Sequence, residues 1–216
     1  MVKMRLSLSR TVALGLLALA ATLATLGATA TPAKAALGLS CPDATSQVFA
    51  PWNDYANYAY APNGGFEAGS GGWSLSGGAK VVTGNSSFFI HGAGERYSLA
   101  LPAGSSATSP RMCIGLFSSK MRFFAANKGS ASSRLRVQVI YNGGVGGLLS
   151  LLTKTLGVSD IGYVTAGSAW QPSPAIGMLS GTLPLLTQSV QFRFVPADRN
   201  GAWLVDDVYL DPLMHR

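Results

Sequence analysis

An all-β sandwich is the fold that this chain predicts. Three observations carry the prediction. Helix signals are scarce beyond residue 35, Gly, Ser, Val, Phe and Tyr are abundant from there on, and turn residues recur about every eight to twelve positions.

The first 35 residues read as a targeting device. Lys3, Arg5 and Arg10 form a positive n-region, and Val12 to Leu26 is an apolar run rich in Ala and Leu. Ala33-Lys34-Ala35 fits a signal-peptidase site, with Ala28-Thr29-Ala30 as the second choice. The run is short for a membrane span, so a cleaved secretory signal is expected, with a retained N-terminal anchor as the alternative. No twin arginine is present, and Gly38-Leu39-Ser40 before Cys41 is a poor lipidation box. The expected organisation is a signal over 1–35, an N-terminal extension packed on the sandwich over 36–62, and the sandwich over 63–216. A secreted or cell-surface location is therefore expected, without stable membrane insertion after cleavage.

Removing the leader changes the charge balance. The chain carries 16 basic and 9 acidic residues. Lys3, Arg5, Arg10 and Lys34 leave with the leader and no acid does, so 12 basic residues face 9 acidic ones and the net charge is +3. A nucleic-acid partner is therefore not expected. Cys41 and Cys113 both survive cleavage, and an even cysteine count in an exported protein reads as a disulfide, two free thiols being the alternative. Closing a loop of ~70 residues would stabilise the fold by roughly 4 kcal/mol in the chain-entropy account.

Alternation places the strands. Ala79–Thr83, Tyr97–Leu101 and Met112–Phe117 are strand-like runs. Met121, Phe123 and Ala125 alternate with Lys120, Arg122 and Phe124. Leu135, Val137, Val139 and Tyr141 share one face against Arg136, Gln138 and Asn142, and Val190, Phe192 and Phe194 share one against Gln191 and Arg193. Breaks fall at Gly64-Gly65, Ser76-Gly77-Gly78, Ala103-Gly104-Ser105, Asn142-Gly143-Gly144 and Arg199-Asn200-Gly201. Gly143 to Thr155 reads as a hairpin tip leading into a strand, with a short helix as the alternative. Trp73 and Trp203 are expected in the core or covering a sheet.

Two motifs near the ends of the mature region carry unusual acids. Asn63-Gly64-Gly65-Phe66-Glu67 is followed by Trp73, and Trp203-Leu204-Val205-Asp206-Asp207-Val208-Tyr209-Leu210 closes the chain. In a regular strand Asp206 shares a face with Leu204, Val208 and Leu210, while Asp207 shares one with Trp203, Val205 and Tyr209. Whichever face is the core, one carboxylate points inward and needs a cation or several donors.

The order of these motifs, with Gly92–Leu101, the Lys120–Ala126 and Leu135–Tyr141 strands, Trp170-Gln171 and the closing Val205–Leu210, resembles the β-jelly-roll carbohydrate-binding modules of the family 4, 9 and 22 type. These belong to the galactose-binding-like sandwiches, and the similarity spans about Asn63 to Pro212. The resemblance implies an antiparallel β-sandwich of jelly-roll type. Residues 41–62, with Trp52, Tyr55, Tyr58 and Tyr60, are an addition; they look more like a small group of secreted bacterial proteins of undefined role. The resemblance also implies a structural Ca²⁺ joining Glu67 to Asp206 or Asp207, with backbone carbonyls near Asn63 or Phe66. The alternative is that these acids accept loop amides or pair with an arginine. No His or Cys clusters beside them in the sequence, which argues against zinc. No organic cofactor is implied.

A sugar site in such a sandwich needs a flat aromatic and planar hydrogen-bonding groups. One candidate is the polar strand face of Arg122, Arg136, Gln138, Gln191 and Arg193, with Phe124 among them, a single patch if these strands share a sheet. Ordinary solvated positions are the alternative. The other candidate is a loop edge of Trp52, Asn53, Asp54, Tyr55 and Tyr58 with Trp170, or else these aromatics pack on the sandwich.

Catalytic constellations are missing. His91 and His215 are the only histidines. No Gly-x-Ser-x-Gly elbow, facing carboxylate pair or phosphate-binding glycine loop accompanies them. The expected function is a secreted, monomeric, non-catalytic module that recognises a polysaccharide or cell-surface glycan. A structural or protein-interaction scaffold of the cell envelope is the alternative, and a hydrolase is the last choice. Such modules are usually attached to an enzyme, and a stand-alone module is the expectation here.

Overall fold

In the computed structural model the described residues are 45–114, 120–142, 157–178 and 188–211. All lie in the second of two units into which the chain divides, Leu39–Arg216. The expected Cys41–Cys113 bridge, the Gly143–Thr155 segment and the end of the Met112–Phe117 run fall outside them.

The strands are β1 (Ala59–Tyr60), β2 (Ser74–Ser76), β3 (Lys80–Thr83), β4 (Tyr97–Pro102), β5 (Ser106–Thr108), β6 (Met112–Ile114) and β7 (Lys120–Asn127). They continue as β8 (Leu135–Asn142), β9 (Val158–Val164), β10 (Gln171–Pro172), β11 (Ile176–Gly177), β12 (Gln188–Pro196) and β13 (Ala202–Asp211). They form two antiparallel sheets, as the alternation predicts. The first runs β10-β7-β13-β4-β3, with β1 beside β13 and β11 beside β7. The second runs β2-β5-β12-β8-β9, with β6 beside β12.

Inward side chains of both sheets meet in one core. Leu99, Met121, Phe123, Ala125, Trp203 and Val205 come from the first, and Leu135, Val137, Val139, Val190, Phe192 and Phe194 from the second. Trp73 closes one margin, stacked on Phe194 with ring centroids 6.1 Å apart and its indole N–H donating to the Pro62 carbonyl. Each buried Phe or Leu contributes about 1.5–3 kcal/mol of transfer free energy, so apolar burial dominates here.

The outer faces of the two sheets differ. On the second, β8 alternates buried Leu135, Val137 and Val139 with half-buried Arg136, Gln138 and Ile140. On the first, Met121 to Asn127 are all buried, so the expected polar face of β7 is not a surface. Residues 46–58, held to themselves by the Ser46–Tyr58 bridge, cover it. Phe49 stacks on Phe124 at 5.5 Å and meets Tyr58 and Tyr209 edge-on, and Trp52 packs edge-on against Phe88 and Phe124. Trp170 packs against the same cluster.

Strand β13 departs from regular alternation. Asp206 pairs with Phe124 and Tyr209 with Arg122, so Asp207 and Val208 together oppose Phe123 alone. This is a β-bulge. It places Asp207 at φ 49°, a left-handed conformation that Asp tolerates better than most residues because its short side chain bonds locally. The expectation of opposite faces for the two aspartates gives way for this reason. Both carboxylates are buried completely.

Candidate functional site

The bulge occupies a gap in the hydrogen-bonding edge of β13. β4 pairs with Ala202–Val205 and β1 with Tyr209–Leu210, leaving residues 206–208 without a strand on that side. The Asn63–Phe66 turn fills part of the gap. The Val208 amide donates to the Gly64 carbonyl at 3.1 Å, and the Ala61 amide to the Val208 carbonyl at 2.9 Å. Glycine is required at 64 because a β-carbon there would lie 2.8 Å from the Val208 carbonyl oxygen.

The β3–β4 loop supplies the remaining partners. The Ser86 amide donates to Asp206 Oδ2 at 2.7 Å, and the Ser86 hydroxyl donates to Asp207 Oδ2 at 3.0 Å. Asp206 Oδ1 accepts the Asp207 amide at 2.9 Å. His91 Nδ1 lies 2.9 Å from Glu95 Oε1 and 3.2 Å from Asp207 Oδ1. Its Nε2 lies 2.8 Å from the Tyr209 hydroxyl. Tyr60 leans against the imidazole at a centroid distance of 4.0 Å. A cleft of about 600 Å³, lined by Tyr58, Tyr60, His91 and Tyr209 with Val48 and Pro51, opens beside the imidazole.

Three carboxyl groups packed together reshape one another's acidity. Burial, then the charge of Asp207, pushes the Asp206 carboxyl up to about 9, so it is protonated at neutral pH. The Asp207 carboxylate set against its Nδ1 raises the His91 imidazole, against its burial and with help from Glu95. Burial and then Asp207 raise the phenols of Tyr60 and Tyr209. The cluster can hold positive charge. It is not arranged as a nucleophile relay, because Ser86 is buried and bonds to the aspartate, while the second imidazole nitrogen faces Tyr209.

The residues expected to hold calcium do not fit that ion. Glu67 is exposed, and its Oε1 accepts the amides of Arg96 and Tyr97 at 2.8 and 2.9 Å. Both oxygens of Asp206 accept backbone amides. Of the two aspartates one oxygen, Asp207 Oδ1, is left to a cation, a donor set far short of the six to eight oxygens that Ca²⁺ takes. The expectation that no imidazole stands by these acids fails too, since folding delivers His91 to Asp207.

The residues expected to bind ligand separate onto both sheets. Arg122 is 7% exposed and belongs to the first. Its Nε and Nη2 donate to the Ser173 carbonyl, its Nη1 donates to Asp54 Oδ2 at 2.8 Å, and its guanidinium lies 4.3 Å from the centre of the Phe49 ring. The Tyr58 hydroxyl also donates to Asp54 Oδ2. Burial raises the Asp54 carboxyl, but the bonds from Tyr58, Ala56 and Arg122 outweigh it and hold the group below its usual range. Arg122, Asp54, Trp52, Phe124 and Trp170 are thus fixings of the extension. Tyr55, 64% exposed, and Asn53 are the members of that expected loop edge left open to solvent.

Arg136, Gln138, Gln191 and Arg193 do share the second sheet. Gln138 is paired with Arg193 on β12 and with Asp160 on β9, and its amide donates to Asp160 Oδ1 at 2.8 Å. Arg193 Nε donates to the Thr108 hydroxyl and Gln191 Nε2 to the Ser109 carbonyl. Arg136 is paired with Tyr163, which is 45% exposed and carries the Arg134 guanidinium 4.8 Å from its ring centre. Tyr163 and Arg134 were not expected, although the Asp160-to-Val164 run carries a strand-like Ile, Tyr and Val.

No protein-family model and no curated protein matches the sequence. Among solved structures the sandwich is similar to carbohydrate-binding modules and to adhesin domains. A family 61 module solved with β-1,4-galactotriose is 20% identical, with 70% of this chain and 96% of that one covered and a TM-score of 0.45. The CBM22-1 xylan-binding domain of Paenibacillus barcinonensis Xyn10C is 16% identical, covering 71% and 96%, with a TM-score of 0.44. The K1 cleaved adhesin domain of Lys-gingipain from Porphyromonas gingivalis is 15% identical, covering 68% and 94%, with a TM-score of 0.42.

Proposed function

We propose that this protein is a secreted, non-catalytic module that binds a polysaccharide or cell-surface glycan on the outer face of the second sheet. The observation that carries the reading is Tyr163. Its ring is half exposed on the edge strand β9, with Arg136 paired beside it and Gln138, Asp160 and Arg193 following along the same face. A rigid amphipathic ring offers a stacking surface to a pyranose. Guanidinium and amide groups supply planar, paired donors for hydroxyls or carboxylates. The leader over residues 1–35 supports export, and the burial of Ser86 and Asp207, with Ser86 bonded to Asp207 and His91 against the same carboxylate, supports a role without catalysis.

The test is binding of the purified protein to a glycan array and to insoluble polysaccharides, for wild type and Tyr163→Ala. Saturable binding to one sugar class, weakened at least tenfold by the substitution at unchanged thermal stability, supports the reading. Binding unaffected by Tyr163→Ala removes this face as the site, and no binding to any glycan removes the function.

A further inference from the structure

We infer that His91, Glu95 and Asp207 form a binding site for a first-row divalent metal ion, Zn²⁺ foremost, with a mixed nitrogen and oxygen donor set. The inference stands apart from glycan binding, which uses the other sheet.

One ligand atom from each of these residues lies within 4.8 Å of the other two. The two measured edges, 2.9 and 3.2 Å from His91 Nδ1, are close to the edge of about 3.3 Å that a tetrahedral zinc site with bonds near 2.0–2.1 Å requires. Asp207 Oδ1 is the second observation. Its side chain is fully buried, its other oxygen accepts the Ser86 hydroxyl, and Oδ1 itself accepts no hydrogen bond. The atom points at an imidazole nitrogen whose hydrogen bond goes to Glu95. A buried carboxylate oxygen without a donor is costly unless something positive sits against it.

The surroundings agree with a metal. Tyr209 contacts the far ring nitrogen, so Nε2–H can donate to its oxygen while Nδ1 presents a lone pair, the outer contact that metal-bound histidines usually make. Asp207 and Glu95 together supply the two negative charges that balance a divalent ion. The His91 side chain is 37% exposed beside the cleft, which gives the ion an entry path and leaves a coordination position for water. Imidazole and carboxylate together favour zinc and its first-row neighbours over Ca²⁺.

The experiment is titration of chelator-treated, dialysed protein with ZnCl₂ and separately with CaCl₂ by calorimetry. A Co²⁺-loaded sample follows the visible absorption of the metal. The expected result is one Zn²⁺ per chain, a raised melting temperature, and at least tenfold weaker binding in both His91→Ala and Glu95→Gln. The Co²⁺ spectrum should change in His91→Ala, a readout that does not depend on stability. Circular dichroism confirms that each variant is folded. Absence of saturable Zn²⁺ binding in wild type overturns the proposal. So does Zn²⁺ binding untouched in a folded His91→Ala protein, or a site that prefers Ca²⁺ and ignores the imidazole. Glycan binding by Tyr163 can succeed or fail independently of each of these outcomes.

Discussion

The strands β7 and β8 look interchangeable in sequence, yet one is covered on both faces and the other on one. Both alternate apolar residues with an Arg, and both contribute Phe, Met, Leu or Val to the same core. The outward Arg122 of β7 is enclosed by residues 46–58, whereas Arg136 and Gln138 of β8 stay half-buried at a surface. Period-two patterning identifies the inward set of a strand but carries no information on whether a distant segment caps the outward set. The difference teaches that a polar residue in an alternating strand is a candidate for binding only once its outer layer is known.

Four measurements sharpen this comparison. The largest effect belongs to the centre of the covered face. Phe49→Ala removes the ring that Phe124, Tyr58, Tyr209 and the Arg122 guanidinium all contact, and should cost about 3–5 kcal/mol by denaturant unfolding. Arg122→Ala comes next. It strands Asp54 and the Ser173 carbonyl, at about 3 kcal/mol, whereas Gln138→Ala on the open face should change stability by less than about 0.5 kcal/mol. Equal losses for these two would break the comparison.

Gly64→Ala probes the junction between the extension and β13. A β-carbon there meets the Val208 carbonyl oxygen and amide nitrogen, so a loss of about 1–3 kcal/mol is expected in a thermal melt. The smallest effect on the covered face is Asp54→Asn, about 1 kcal/mol at neutral pH, because the Arg122 pair is partly exposed at Asp54. The Asp54 carboxyl is held below its unfolded value of 3.8. Its contribution is therefore complete above that value and is lost as pH falls through the lower folded value. Wild type and Asp54→Asn should converge in stability in strong acid and diverge on return to neutrality; parallel curves would show that Asp54 adds nothing to the attachment.

Much of the sandwich was legible before folding. The inward residues of β8 and β12 come directly from alternation, and Trp73 and Trp203 are buried as their setting suggests. The paired aspartates announced an unusual strand. The bulge was not legible, since nothing in Val205-Asp206-Asp207-Val208 specifies which residue takes positive φ. The site was legible only in halves. His91 and Glu95 sit four apart around Gly92-Ala93-Gly94, which marks a tight turn, but Tyr209 is 118 residues from His91 and only the sheet order joins them. Glu67 takes the amides of Arg96 and Tyr97 on its Oε1, partners 29 and 30 residues away that are invisible to a motif that records residue type alone.

The extra residue in β13 acts as a phase shifter between two halves of one strand. Before it, odd-numbered Trp203 and Val205 face the core; after it, even-numbered Val208 and Leu210 do, and odd-numbered Tyr209 turns to the aromatic layer. Excising the extra residue would restore plain alternation and leave both sides as they are, whereas straightening the bulge with every residue kept would exchange the two sides of the second half, sending Tyr209 inward and Leu210 towards Phe49. The parity of a single strand thus decides which of two aromatic and aliphatic assemblies its end can join.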